Sequence, residues 1–448
     1  MKTLFMAAST LVASYASHGG IDKPNIIFIL IDDLGWAELG CYGNTFNETP
    51  NLDKLADAGM RFTDAYAAAP VCSPYRAALL TGQYPARIGI TDYLRPDTDM
   101  HLPADCATLP RLLQAGGYAT GIIGKWHLSG YQDGQVKFGP EKYGFDEVIL
   151  SEKTDIGGGS YFHPYTCVDA TVPKKLAGDT EYLPDRLNVE AIEFIERHRD
   201  RPFFLYLSHY AVHTRLQGKP EHVARFESKP GAGQGNRAKR NNPHLAAQLQ
   251  AIDEGVGMIV RKLDELGIAG NTILVFTGDN GGEDRVTSNG PFRAGKSTLY
   301  EGGIRVPLII RWPGTVKPGS LCRTPTANMD FLPTFARIGG ARIEPRHAVD
   351  GVSILPLLCG GEALKREALY WHYPLKDPHF LGGRSGGAVR QGNWKLIEWY
   401  DDGSRELFNL RADPGEQNNL AAKHPDKVAE LASKLAVWRK DVGAPMPD

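Results

Sequence analysis

The stretch VCSPYRAALLTGQYP, residues 71–85, places a cysteine, a proline and an arginine at alternating positions where a helix begins. Arg76 follows Cys72 by four residues, one helical turn, so both side chains project from one face. No second cysteine or histidine stands near Cys72 at metal-ligand spacing. Elsewhere Asp32-Asp33 and Asp279-Asn280 each close an apolar run. Taken singly, the first pair reads as a helix N-cap and the second, before two glycines, as a turn. Together they offer three carboxylates and a carboxamide, hard oxygen donors that suit Ca²⁺ or Mg²⁺ and disfavour zinc. Three unpaired carboxylates in one pocket would repel strongly without a cation. Lys125 and His127 alternate by two and share a face if the strand end is extended. Lys296 lies in the glycine-punctuated SNGPFRAGKSTLYEGG, and His213 follows a further apolar run. A divalent cation with one Arg, two Lys and two His makes a pocket for a compact anion such as sulfate or phosphate. A plain thiolate at Cys72 would be the one soft atom among hard ligands. A buried structural thiol would not need Pro74 and Arg76 at these offsets. The option left is that residue 72 is not a cysteine in the working protein.

Such residues need elements to bring them together. Continuous apolar runs at 25–31, 119–128, 202–210, 272–282 and 306–314 read as strands buried on both faces. Amphipathic helical patterns lie between them, as in LNVEAIEFIERHR and HLAAQLQAIDEGVGMIVRKLDELG. Strands alternating with helices predict an α/β domain with a large, mostly parallel sheet covered by helices on both faces. Ligands in such sheets gather at the carboxyl ends of the strands. Four runs end in reactive residues: Asp32-Asp33, Lys125 with His127, His209 with His213, and Asp279-Asn280. The character changes near residue 365. AVRQGNWKLIEWY and ELFNLRADPGEQNNLA read as short alternating strands, and a terminal helix follows. The expected division is a catalytic domain over 22–364 and a smaller α+β subdomain with a short antiparallel sheet over 365–448. Residues 229–243, rich in Gly, Asn and Arg, read as a surface loop.

Acids and bases nearly cancel in the 448 residues, 52 against 50, so no whole-molecule field recruits nucleic acid or a membrane. No run approaches the ~20 apolar residues of a spanning helix. Residues 1–18 pattern as a secretory signal: an early Lys, a short apolar stretch, then small residues. The expected location is therefore periplasmic or secreted. The six scattered cysteines form neither a disulfide framework nor a zinc motif.

The residues now meet a known family. Cys72-Ser73-Pro74-Tyr75-Arg76 followed by Leu80-Thr81-Gly82 resembles the signature of the type I sulfatases, within the alkaline-phosphatase-like superfamily. The resemblance extends through NIIFILIDDLGW, GKWHL, AVHT, FTGDNGG, KSTLYEGGIRVP and ELFNLRADPGEQNNL. It implies an alkaline-phosphatase-like fold and conversion of Cys72 to Cα-formylglycine by a dedicated maturation enzyme. It implies calcium, with magnesium as the alternative, held by Asp32, Asp33, Asp279, Asn280 and the modified residue 72. Arg76 would brace the formylglycine, Lys125 and Lys296 contact the sulfate, His127 hold one hydroxyl of the hydrated aldehyde, and His213 act as donor to the leaving oxygen. The hydrated aldehyde would attack sulfur with one hydroxyl and expel sulfate by deprotonation of the other. A serine lacks that second hydroxyl.

The expected activity is hydrolysis of a sulfate ester on a sulfated carbohydrate. A phosphodiesterase, phosphomonoesterase or phosphonate hydrolase of the same superfamily is the second reading, and a catalytically silent carbohydrate-binding protein the third. Tyr75 and Arg215 depart from the commoner residues of the family. Arg215 is expected to read a second anionic group on the substrate, and His372 and Arg384, with Trp371 and His379, to line the substrate mouth.

Overall fold

The structure is a computed structural model describing residues 23–447 apart from 96, 133–134, 153–158, 166–171, 179 and 234–240. The signal reading of residues 1–18 and the middle of the 229–243 loop lie outside the described residues.

Among the described residues the main sheet has nine strands. In chain order the strands are β1 (Asn25–Ile31), β2 (Met60–Tyr66), β3 (Ala119–Gly124), the two-residue pair β4 (Tyr131–Gln132) and β5 (Gln135–Val136), β6 (Glu147–Ile149), β7 (Phe203–Ser208), β8 (Thr272–Gly278), β9 (Arg305–Arg311), β10 (Ser320–Cys322) and β11 (Thr326–Ala327). β4 and β5 pair with each other apart from that sheet. The spatial order is β10-β2-β9-β8-β1-β7-β3-β6, with β11 also on β2. Every neighbouring pair is parallel except those made by β9, which runs against both β2 and β8. The five apolar runs read as strands all form, and β1, β3, β7 and β8 are buried along their whole length.

Helices cover both faces. Alternate β1 residues Ile27, Ile29 and Ile31 share a core with helices Leu183–His198 and Pro243–Glu265; Ile26, Phe28 and Leu30 pack with Tyr75, Leu79 and Phe331 on the other side. This is the period-2 alternation of a strand buried twice over.

β12 (Leu369–Tyr373), β13 (Gly386–Gln391), β14 (Trp394–Trp399) and β15 (Arg405–Asn409) form a separate four-stranded antiparallel sheet, and helix Pro425–Asp441 packs on it. This sheet shares a core with Val71 and Ala78, at both ends of helix Cys72–Thr81. It is joined to the main sheet by buried charge. Lys395 lies 2.9 Å from Glu301 and 2.9 Å from Glu416, all three without exposure. The Glu416 carboxylate accepts the Glu301 backbone N–H at 2.6 Å.

The sequence signal was weakest for β2, β6, β10, β11 and β12. β2 alternates buried and half-buried residues, and the others are short or lie at an edge. Such strands lack the continuous apolar run that marks a central one.

Candidate functional site

Parallel pairing of β1 with β8 sets Ile31 beside Gly278, so the next residues of the two strands, Asp32-Asp33 and Asp279-Asn280, emerge side by side. The chain turns at once: Asp33 takes φ 59°, and its N–H donates to Asp279 Oδ1 at 3.0 Å. Asn280 Nδ2 donates to Asp33 Oδ1 at 2.8 Å, which aims the amide nitrogen at Asp33 and leaves Asn280 Oδ1 without a hydrogen bond. One oxygen from each of Asp32, Asp33 and Asp279 lies within 4.8 Å of the others.

β3, two strands away across β7, ends at Gly124. There φ is +95° and an added Cβ would lie 2.0 Å from Ser208 O, so the strand stops and the chain swings toward the same pocket. Lys125 Nζ reaches Asp32 Oδ2 at 2.5 Å. His127 adopts φ 56° rather than the extended conformation the alternation predicts, yet its ring still faces the site. Lys296 Nζ lies 2.7 Å from Asp33 Oδ2, and His213 Nε2 lies 3.7 Å from the same oxygen.

Cys72 opens helix Cys72–Thr81. Its Sγ sits 3.2 Å from His127 Nδ1. The other nitrogen, Nε2, donates to the Leu94 carbonyl at 3.0 Å. A carbonyl only accepts, so the ring proton is on Nε2 and Nδ1 is free to accept from residue 72. Burial, with Lys125 adding to it, pushes the His127 pKa well below the ordinary value and keeps the ring neutral. One turn on, Arg76 is fully buried. It donates to Asp279 Oδ2 at 2.8 Å, Ser208 Oγ at 2.6 Å and Lys125 O at 3.0 Å.

The carboxylates are therefore not bare, as sequence spacing alone suggested; lysines and Arg76 answer them. The electrostatic outcome is uneven. Burial would raise Asp32, but Lys125, His213, Arg76 and Lys296 outweigh it and hold the group far below the usual carboxylate range. Burial, reinforced by the Asp32 charge, raises Asp279. Burial pushes the Cys72 thiol up to about 11, so as a cysteine it is a thiol and not a thiolate.

The metal expectation can be tested on the donor atoms. Asp32 Oδ1 and Asn280 Oδ1 are buried and, among the described residues, carry no hydrogen bond. A buried acceptor left unsatisfied is costly. Two orphaned hard oxygens beside Asp33 and Asp279 fit a hard divalent cation.

All ten catalytic and metal-binding candidates, Asp32, Asp33, Cys72, Arg76, Lys125, His127, His213, Asp279, Asn280 and Lys296, converge here. The substrate-binding candidates Arg215, His372 and Arg384 divide. Arg215 is exposed beside His213 and Thr214, on a small cavity that Asp32 also lines. His372 is buried in β12, its nitrogens bonded to Tyr400 Oη at 2.8 Å and Pro445 O at 2.7 Å. Arg384 lies over Trp399 and is clamped by Asp401 and Asp402 at 2.6 and 3.0 Å. The mouth reading of His372 and Arg384 is therefore corrected: both cross-link the C-terminal sheet, because Tyr400 and the Asp401-Asp402 turn face them across it. His209 also leaves the set. Among the described residues its buried ring has no hydrogen-bond partner, and burial alone lowers its pKa to about 3.

Three supporting groups escaped the sequence reading. Ser208 holds Arg76; as the polar last residue of the β7 run it carried a usable signal. Glu152 accepts the Trp126 N–H at 2.7 Å and the His127 N–H, fixing the turn after β3. The Leu94 carbonyl sets the His127 tautomer. A lone Glu and a backbone carbonyl, far off in sequence, give no pattern to find.

Known proteins resemble this chain in sequence and fold. The family model described as Sulfatase matches residues 24–341, and the model of the N-sulphoglucosamine sulphohydrolase C-terminal region matches 293–441. Arylsulfatase A of Bos taurus is 34% identical, covering 96% of this chain and 89% of its own. N-acetylgalactosamine-6-sulfatase of Canis lupus familiaris is 32% identical, covering 97% and 83%. Among solved structures, Ps i-CgsB in complex with k-i-k-neocarrahexaose superposes with a TM-score of 0.82 at 32% identity, covering 95% of this chain and 94% of that one. With the shared mixed sheet, the separate C-terminal sheet and these matches, the chain belongs to the sulfatase family and is a sulfuric ester hydrolase.

Proposed function

We propose that the protein releases inorganic sulfate from a sulfated carbohydrate, using Cα-formylglycine made from Cys72 by a maturation enzyme. The observation that carries this reading is the placement of Cys72: its Sγ stands for an oxygen held 3.2 Å from an accepting His127 Nδ1, between the buried carboxylates and the cations. The sugar assignment is supported by the names of the similar proteins, an N-acetylgalactosamine-6-sulfatase and a neocarrahexaose complex.

Asp32, Asp33, Asp279 and Asn280 would hold the divalent cation, calcium by family resemblance. When bound, that cation would supply positive charge to the nucleophilic oxygen and to the sulfate. Arg76, buried and bonded to Asp279, keeps its guanidinium beside residue 72. Lys125 and Lys296 present ammonium groups that would take up sulfate oxygens. His127 Nδ1 accepts a proton from a hydroxyl at residue 72. His213 donates through Nδ1 to the Thr214 carbonyl, so only its doubly protonated ring offers a proton from Nε2 to the leaving oxygen. Arg215 stands beyond His213, where a second anionic group on the leaving sugar would meet it. Export by residues 1–18 fits a substrate met outside the cytoplasm.

The deciding experiment expresses the protein with the maturation enzyme and measures sulfate release from defined sulfated oligosaccharides, beside matched aryl sulfate and aryl phosphate. Sulfate turnover far above phosphate is expected, together with a loss of about 18 Da on the Cys72 peptide by mass spectrometry. An intact thiol at residue 72 in active protein, or faster phosphate turnover, overturns the reading. Chelation should abolish turnover and Ca²⁺ restore it; full activity after chelation removes the cation from the scheme.

A further inference from the structure

Phe380 is 64% exposed, and among the described residues no other large aromatic side chain is exposed. A single exposed apolar side chain needs no explanation by itself; the setting of this one is what bears on function. The side chain is not loose. Its ring stacks on His379 at 4.4 Å, and Arg285 donates to its carbonyl while the guanidinium carbon lies 5.5 Å from the ring centroid.

The segment is fastened to the catalytic pocket on two sides. His379 N–H donates to Gly383 O at 2.8 Å, and Gly383 lies against the Ser297 carbonyl so closely that a Cβ would sit 1.9 Å away. Ser297 is the neighbour of Lys296. On the other side, the Tyr93 ring meets His379 edge-on at 5.6 Å. Its neighbour Leu94 accepts from His127 through its carbonyl and donates its N–H to Ser73 Oγ at 3.0 Å. Phe380, His379 and Arg285 therefore stand at the rim of the sulfate pocket.

Their polar atoms point to a ligand. His379 Nδ1 accepts the Leu381 N–H at 3.1 Å, so a proton is on Nε2 in either charge state, and among the described residues Nε2 makes no hydrogen bond. Arg285 is exposed and, among the described residues, pairs with no carboxylate. A guanidinium without a counter-charge matches sulfate or carboxylate geometry.

We propose that Phe380, Arg285 and His379 form a second sugar subsite beside the sulfate pocket, which receives an adjoining sugar carrying its own sulfate or carboxylate. The C–H face of that ring lies on Phe380, its anionic group pairs with Arg285, and His379 Nε2–H donates to one of its oxygens. This rests on the carbohydrate-sulfatase reading above and adds that the substrate is an oligosaccharide with more than one negative charge.

The test compares wild type, Phe380→Ala and Arg285→Ala, each made with the maturation enzyme. The substrates are para-nitrophenyl sulfate and sulfated oligosaccharides from carrageenan, chondroitin sulfate and heparan sulfate. On whichever oligosaccharide the wild type desulfates, each variant is expected to lose about tenfold or more in kcat/KM, chiefly through KM. On para-nitrophenyl sulfate both should stay within about twofold of wild type, which also shows that they are folded. Equal losses on both substrates, or none on the oligosaccharide, overturn the subsite while leaving the sulfatase reading intact. Wild type that hydrolyses the aryl sulfate and none of the oligosaccharides overturns the sugar reading, and the subsite with it.

Discussion

Arg76 and Asp279 meet at 2.8 Å with no solvent exposure on either side chain, one a helical turn after Cys72 and the other just past the end of β8. The contact ties helix Cys72–Thr81 to the candidate metal cluster. Removing one partner of a buried pair strands the other charge, at a cost of about 3–5 kcal/mol. Arg76→Ala is expected to lose stability of that order in denaturant titration and to release no sulfate. Arg76→Lys keeps the charge but cannot serve Asp279, Ser208 and Lys125 O together, so it should fall between. An Arg76→Ala protein as stable as wild type would show that the pair carries no structural role.

Cys72→Ser separates nucleophilicity from turnover. A serine hydroxyl would occupy the place of Sγ, 3.2 Å from the accepting His127 Nδ1, but offers no second hydroxyl. The expected result is a single sulfo transfer, visible as a covalently sulfated residue 72 by mass spectrometry, with no multiple turnover. Sustained sulfate release by this variant would contradict the formylglycine proposal.

Lys395 sits between Glu301 and Glu416 at 2.9 Å from each, all three buried. The loop that carries Lys296 runs directly into Glu301, so this triad holds that loop against the C-terminal sheet. Lys395→Met strands the Glu416 carboxylate, whereas Glu301 keeps Arg305 at 3.2 Å, and should cost about 3–5 kcal/mol in unfolding free energy. Because the loop that carries Lys296 loses one tie at Glu301, kcat should drop as well. A stability loss with unchanged kcat in the folded fraction would limit the triad to scaffolding.

Glu38 gives a pH dependence. It is buried, accepts from Asn47 at 2.8 Å and from Thr287, and burial outweighs those bonds to raise its pKa to about 7 from 4.5. The folded state thus holds a proton that the unfolded chain releases near 4.5. Stability from this group is present below that pH and is lost as pH rises through about 7. Glu38→Gln keeps one acceptor for Asn47 and one donor for Thr287 without the titration. Its stability relative to wild type should improve by about 3 kcal/mol between acid and mildly alkaline pH. Parallel pH–stability curves for the two proteins would refute the assignment.

The sequence by itself determined the class of the fold and most of the chemistry. Continuous apolar runs mark strands buried on both faces, and reactive residues just after them mark the carboxyl ends where ligands collect. The ordered motifs around Cys72 and Lys296 identified the family. Tertiary structure decided what depends on contacts between distant segments. Only folding shows Asp279 answered by Arg76, the His127 tautomer set by Leu94 O, and His372 and Arg384 turned into the C-terminal sheet while Phe380 and Arg285 take the rim. A side chain's partners depend on which segments the sheet order brings within about 4 Å, and residues close in space but far apart in the chain leave no periodic trace.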